Sequence, residues 1–305
     1  MKKLPTRYDY NQSPFYKLTT KKKLAALLKL SLESLNDLQG IATPYRRAWL
    51  HKAEKTWLNS EPALEQSANY RPIDLPDERL KKAQKIIETH LARIAIPDNV
   101  YSPVKGRSYV ENAAAHRDAK AVYSMDVENY FPNTSRSKVI GFFRRTMCCP
   151  EDVSVIIANI VTKDDGLPQG SPCSPIIAYH SNREMWDEIT ELATSKGCLS
   201  TIYADDLTIS GDVVPQELVY SVRGIIQKHG MSVKRSKDKS SYKRPSKITG
   251  VVVREGELLL PNSKHKKLKD AANDVARAKN PKDLEKAVNR LRSRQSQKRQ
   301  IEGAN

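Results

Sequence analysis

Residues 201–210 read TIYADDLTIS, and few folds accommodate that order. Ile202 and Tyr203 before the aspartates, and Leu207 and Ile209 after them, read as two strand segments. Asp205 and Asp206 fall where a hairpin turns between them. Adjacent carboxylates repel, so the pair needs an offset. A divalent cation supplies one, because hard cations prefer carboxylate oxygen. A solvated turn supplies another, because aspartate hydrogen-bonds its own backbone in turns. On this segment alone both readings stand. A second apolar, strand-like run, AVYSMD, ends in a third carboxylate, Asp126. Two-metal phosphoryl-transfer sites draw carboxylates from separate segments to hold two cations about 3.5–4 Å apart. One ion activates an attacking hydroxyl and the other stabilises a departing pyrophosphate. A strand-end aspartate and a hairpin-tip pair are the parts such a site needs.

Charge narrows the partner. The 305 residues carry 52 Lys/Arg against 35 Asp/Glu, a formal charge of +17. Solubility needs far less, so a polyanion, most simply nucleic acid, is expected. With 39% hydrophobic residues the chain can bury cores for two or three packed units. Cys148, Cys149, Cys173 and Cys198 lack zinc-type spacing and read as free thiols in a reducing cytosol. The opening MKKLPTRYDYNQ has no apolar h-region, and no run approaches the ~20 apolar residues that span a bilayer. A cytoplasmic protein with no membrane partner is expected.

The periodicities alternate between helix and strand. Leu24, Leu27, Leu28 and Leu30 follow a helical period, and Ser31 caps a second short helix before Gly40. NYRPIDLP is extended, since its prolines exclude a helix interior. Asp77 then caps an amphipathic helix with Leu80, Ala83, Ile86, Ile87 and Leu91 on its inner face. Helices follow near 135–146 and 150–162, and GLPQGSPCSP leads into one long helix over 176–195. Another helix spans about 215–229, and KITGVVV is strand-like. The tail from 263 is helical, with thirteen Lys/Arg against five Asp/Glu. Trp49, Trp57 and Trp186 read as packing residues rather than base-stacking platforms.

Three stretches then fall into one pattern. MDVENYFPN (residues 125–133), LPQGSPCSP (167–175) and YADD (203–206) occur in the order and approximate spacing of a reverse transcriptase palm. The chain resembles that family over roughly residues 70–260. NAAAH (112–116) looks like the NAxxH signature of retron reverse transcriptases, and ITG (248–250) is similar to their VTG triplet. The length, and the lack of an appended maturase or endonuclease domain, also suit a retron enzyme. The resemblance implies an α+β right-hand polymerase with an antiparallel palm sheet and a helical N-terminal element. Its parts would be the helical element over 1–40, fingers over 41–122, palm over 123–255 with a finger-like helical insert near 135–165, and a basic helical thumb over 256–305.

The same resemblance implies roles. Asp126 and Asp205 would bind two Mg²⁺ ions, with Asp206 shaping the catalytic site and the Val127 carbonyl completing one coordination shell. Phe131 would be the aromatic gate that excludes a ribose 2′-hydroxyl. Gln169 would contact the incoming nucleotide or template, with Gly170 permitting close backbone approach. Arg71 would grip the triphosphate and Lys237 would assist the pyrophosphate, with Lys105 and Arg107 as further phosphate contacts. Asn112 and His116, four apart and so on one helix face, would be family-specific scaffolding at the bound RNA rather than part of the chemistry. Lys264, Lys266, Lys267, Lys269, Arg290, Arg292, Arg294, Lys298 and Arg299 would track an RNA backbone from the thumb.

The implied reaction is RNA-templated addition of dNTPs, on a cognate structured noncoding RNA (msr–msd) that is both template and primer. Synthesis would start from the 2′-hydroxyl of an internal guanosine and leave branched msDNA. Antiphage defence with a separate toxic effector protein is the implied setting. A non-retron defence-associated or group II-like reverse transcriptase is the alternative that NAAAH and ITG argue against. A polymerase-idle RNA-binding scaffold that silences an effector is the one that three costly carboxylates argue against.

Overall fold

The computed structural model describes residues 7–41, 44–52, 56–234, 236 and 238–304. The chain forms two compact units, each assembled from three segments. The first holds Met1–Pro97, Glu128–Trp186 and His229–Met231, and the second holds Asp98–Val127, Asp187–Lys228 and Ser232–Asn305.

In the first unit, α1 (Lys21–Leu27) and α2 (Leu32–Gln39) begin at hydroxyl caps. Thr20 Oγ1 accepts from the Lys23 N–H at 3.2 Å and Ser31 Oγ from the Ser34 N–H at 3.0 Å. β1 (Tyr45–His51), β2 (Trp57–Leu58) and β3 (Tyr70–Pro76) form an antiparallel sheet in the order β2-β1-β3. Proline is tolerated in β3 because it is an edge strand. α3 (Glu78–Leu91) starts at the expected cap, Asp77, and buries Leu80, Ala83, Ile87 and Leu91.

The chain then gives β4 (Val100–Ser102), α4 (Tyr109–Ala114) and β5 (Ala121–Asp126) to the second unit. It returns to the first with α5 (Tyr130–Asn133), α6 (Arg136–Gly141), a π-helical turn over Phe142–Thr146, α7 (Glu151–Val161) and α8 (Ser174–Ser181). Buried residues lie all round α7, as a central helix requires, and it packs against α1, α2, α3 and α6. The single helix expected over 176–195 is two, α8 and α9 (Arg183–Ser195). Asn182 breaks it. Its Nδ2 donates to Thr134 Oγ1 and to the Ala178 carbonyl, both at 2.9 Å, and its Oδ1 accepts from Lys138 Nζ at 2.8 Å.

The second unit is built on a five-stranded sheet that adds β6 (Leu199–Tyr203), β7 (Asp206–Gly211) and, after α10 (Gln216–Lys228), β8 (Lys239–Tyr242). The order is β4-β6-β7-β5-β8. Four strands are antiparallel, but β4 runs parallel to β6, so the sheet is mixed rather than antiparallel throughout. No hairpin joins β4 to β6. The long chain between them provides the crossover that parallel pairing needs. A small antiparallel sheet follows, made of β9 (Ser246–Ile248), β10 (Val251–Arg254) and β11 (Glu257–Leu259). The basic helices α11 (Asn262–Arg277) and α12 (Pro281–Glu302) pack on each other. Ile301 of α12 joins Val110, Val122, Ile248, Val251 and Leu258 in one apolar cluster.

The cysteines are free thiols, with Cys148 exposed and the other three buried. Among the described residues no helix is long and apolar enough to cross a membrane.

Candidate active site

The three carboxylates meet on one sheet. β6 and β7 form the expected hairpin, with Tyr203 opposite Asp206 and Ala204 and Asp205 as its two-residue turn. β5 lies on the other side of β7 and sets Asp126 directly opposite Asp206. Directly opposed residues project from the same face. Ala204 holds the turn at φ +57°, a left-handed conformation that costs a non-glycine residue about 1–2 kcal/mol. Main-chain bonds tie the tip to the strand end. The Val127 N–H donates to the Asp205 carbonyl at 2.9 Å, and the Lys234 N–H donates to the Asp126 carbonyl at 3.0 Å.

These aspartates line a cleft of about 410 Å³ together with Tyr203, Lys239, Lys247, Thr249 and Gly250. Among the described residues no group of three or more His, Cys, Asp or Glu side chains is arranged to cage a metal ion unaided. Mg²⁺ does not require a cage, because it binds through one or two carboxylates plus substrate phosphates. A donor set of hard oxygens on one face fits that mode.

The opposite lip of the cleft joins the two short motifs. Thr249 and Gly250 form the β9–β10 turn at φ +43° and +83°. A β-branched residue in that region is an outlier that its surroundings must hold. Thr249 Oγ1 donates to the Tyr109 carbonyl at 2.8 Å and accepts from Asn112 Nδ2 at 3.4 Å. His116 lies beyond the end of α4, bonded to Ser210 Oγ and Thr201 Oγ1, both at 2.6 Å. Burial pushes its pKa down to about 4, so it is neutral at pH 7. Asn112 and His116 are each 1% exposed. The RNA contact expected of them gives way to packing: α4 ends too early for a shared helix face, and both side chains point into protein.

The first unit gathers the other expected nucleotide contacts. Arg71 is exposed on β3. The Asp74 N–H of the same strand donates to the Gln169 carbonyl at 2.7 Å. A Cβ on Gly170 would lie 2.5 Å from the Asp74 carbonyl oxygen, so only glycine, here at φ +134°, permits this approach. Ser171 Oγ donates to Gln84 Oε1 at 2.8 Å, and Gln84 Nε2 donates to Tyr45 Oη and to the Ile160 carbonyl. The loop is thereby fixed along β3. Phe131, half-buried on α5, is tied to the same loop, since the Leu167 N–H donates to its carbonyl at 3.1 Å.

Lys237 lies outside the described residues. Lys105 is exposed, whereas Arg107 is committed to the lead-in of β4 through the Val100 carbonyl and Asp98, both at 2.6 Å. Lys266, Lys267 and Lys269 are exposed on α11, as are Arg290, Arg292 and Arg299 on α12. Arg290 pairs with Asp274 at 2.8 Å. Burial, with Lys247 and Arg294 close by, lowers the pKa of Lys264, whose ammonium lies 5.1 Å from the Tyr109 ring centre. Lys247, overlooked in the sequence, therefore links the cleft to this cationic cluster. Its one sequence signal is its place directly before ITG.

Comparison with known proteins agrees with this geometry. The chain is 27% identical over 241 residues to the Retron Se72 reverse transcriptase of Salmonella heidelberg (strain 579083-10), covering 74% of this chain and 62% of the relative. It is 28% identical over 206 residues to the Retron Ec86 reverse transcriptase of Escherichia coli, covering 65% and 63%. It is 23% identical over 283 residues to the Retron Ec48 reverse transcriptase of Escherichia coli, covering 88% and 66%. The chain thus spans a little under two thirds of the length of these relatives. Residues 58–253, which include every aspartate of the cleft, match the family described as Reverse transcriptase (RNA-dependent DNA polymerase). The chain belongs to the reverse transcriptase family.

Proposed function

We propose that this chain is a retron-type reverse transcriptase that copies a cognate structured noncoding RNA into DNA. The observation that carries the reading is the alignment of Asp126 with Asp206 beside the Asp205 turn, inside the matched region. Mg²⁺ ions held by Asp126 and Asp205 would lower the pKa of the attacking hydroxyl and stabilise the pyrophosphate charge. Asp206 shapes the site beside them, and the Val127 carbonyl is a further oxygen donor. Arg71 binds the triphosphate, Gln169 orients the nucleotide or template, and Phe131 excludes a 2′-hydroxyl. Lys237 is assigned to the pyrophosphate side.

The five-stranded sheet and its hairpin serve as the palm of a right-hand polymerase, and the β1–β3 sheet with its helices serves as the fingers. α11 and α12 serve as an RNA-binding thumb, with Lys264, Lys266, Lys267, Arg290, Arg292 and Arg294 on the phosphate backbone. As a retron-type enzyme the chain would prime from a 2′-hydroxyl of an internal guanosine, leave branched msDNA and act in the bacterial cytoplasm with a separate effector in antiphage defence. What supports this reading is that the relatives are named retron reverse transcriptases.

The double variant Asp205→Ala/Asp206→Ala tests the site. It is expected to abolish primer extension with Mg²⁺ while leaving RNA affinity and the unfolding midpoint near wild type. Persistent extension would remove the carboxylates from the chemistry. Expression with the adjoining RNA should yield a discrete small DNA whose mobility shifts on debranching. No such DNA, despite extension of a generic primer, would reassign the chain to another reverse transcriptase class.

A further inference from the structure

Trp57 does not pack as the sequence suggests. Trp186 is 1% exposed, but Trp57 is 54% exposed. Its position in the sheet gives that exposure meaning. On β1, Leu50 is paired with Trp57 of β2 on one side and with Arg71 of β3 on the other. Paired residues share a face, so Trp57, Leu50 and Arg71 form one row across three strands. The next row on that face, Ala48 with Ile73, is buried, and Ile73 lies against Gly170. The row therefore borders the loop that carries Gln169. Two interstrand spacings, about 10 Å, separate Trp57 from Arg71, enough for a phosphate at one end and a base at the other.

We infer that the Trp57 end of this row is a binding site for an unpaired nucleobase of the single-stranded template, stacked on the indole while Arg71 at the other end holds the triphosphate of the incoming nucleotide. The inference rests on the polymerase reading above, because that reading places Arg71 at the triphosphate. An exposed indole in a cationic setting suits a base better than a protein partner. Every base offers a π face, and the row itself ends in an exposed cation, Arg71, with exposed Arg46 on the same face beyond the buried Ala48–Ile73 row.

The test uses the full chain carrying Trp57→Ala or Trp57→Phe. Binding is measured by fluorescence anisotropy on RNA–DNA primer–templates with a long single-stranded template overhang and with a blunt end, over a range of salt. Trp57→Ala should weaken binding to the overhang substrate roughly five- to a hundredfold, the span of one base–aromatic stack. It should leave blunt-end binding and the salt slope unchanged, because the indole carries no charge. Trp57→Phe should restore most of the loss. Equal loss on both substrates, or none on either, overturns the assignment. Because this readout needs no synthesis, the two readings fail separately. A wild-type chain that extends no primer refutes the polymerase reading, while overhang-dependent affinity still decides Trp57.

Discussion

Replacing His116 by glutamine removes one buried titrating group and keeps a donor and an acceptor for Ser210 and Thr201. Burial places the folded pKa of His116 at about 4, against 6.5 for the free side chain. As the pH falls below that upper value, the unfolded chain takes a proton that the folded chain refuses. Stability from this residue is therefore complete above the unfolded pKa and is lost on acidification, until the folded form also protonates near the lower one. The slope approaches ~1.4 kcal/mol per pH unit, and between pH 7 and 5 the loss amounts to about 2 kcal/mol. His180, in the first unit and pushed down to about 3, behaves in the same sense. The assay must therefore read the second unit alone, and hydrogen exchange at the β5 and β7 amides does so. His116→Gln should flatten the pH dependence of their opening free energy by that ~2 kcal/mol, whatever its effect on absolute stability. Parallel pH profiles for wild type and variant would refute the argument.

Two further outcomes are expected. Phe131→Ala should raise the ratio of rNTP to dNTP incorporation about tenfold, equivalent to ~1.4 kcal/mol. An unchanged ratio of kcat/KM values would take Phe131 out of the gate role. Gly170→Ala should strain the loop by about 1–3 kcal/mol and raise the KM for dNTPs more than it weakens RNA binding. An unaltered KM and unfolding midpoint would show that contact with β3 does not position Gln169.

Much of this molecule is written locally. Period-two apolar residues around Asp205 and Asp206 announce the hairpin, and Thr20, Ser31 and Asp77 announce the helices they cap. These signals work because each depends on neighbours within a turn of chain. What stayed hidden depends on distant partners. Asn182 splits a helix because Thr134 and Lys138 reach it. β4 joins its sheet in parallel because no hairpin constrains it. His116 looks like any histidine until Ser210 and Thr201 enclose it. The exposure of Trp57 depends on which strands flank β1, and Lys247 reaches the cleft from β9, beside the turn.

The bond between Asn112 and Thr249 joins positions 137 apart in the chain. NAAAH and ITG, far apart in sequence, therefore act on each other mechanically in the folded chain. A change of side chain at Asn112 or Thr249 removes a bond that holds the strained turn. A chimera that imports an α4 lacking the asparagine would hold the cleft's far lip through the Tyr109 carbonyl alone.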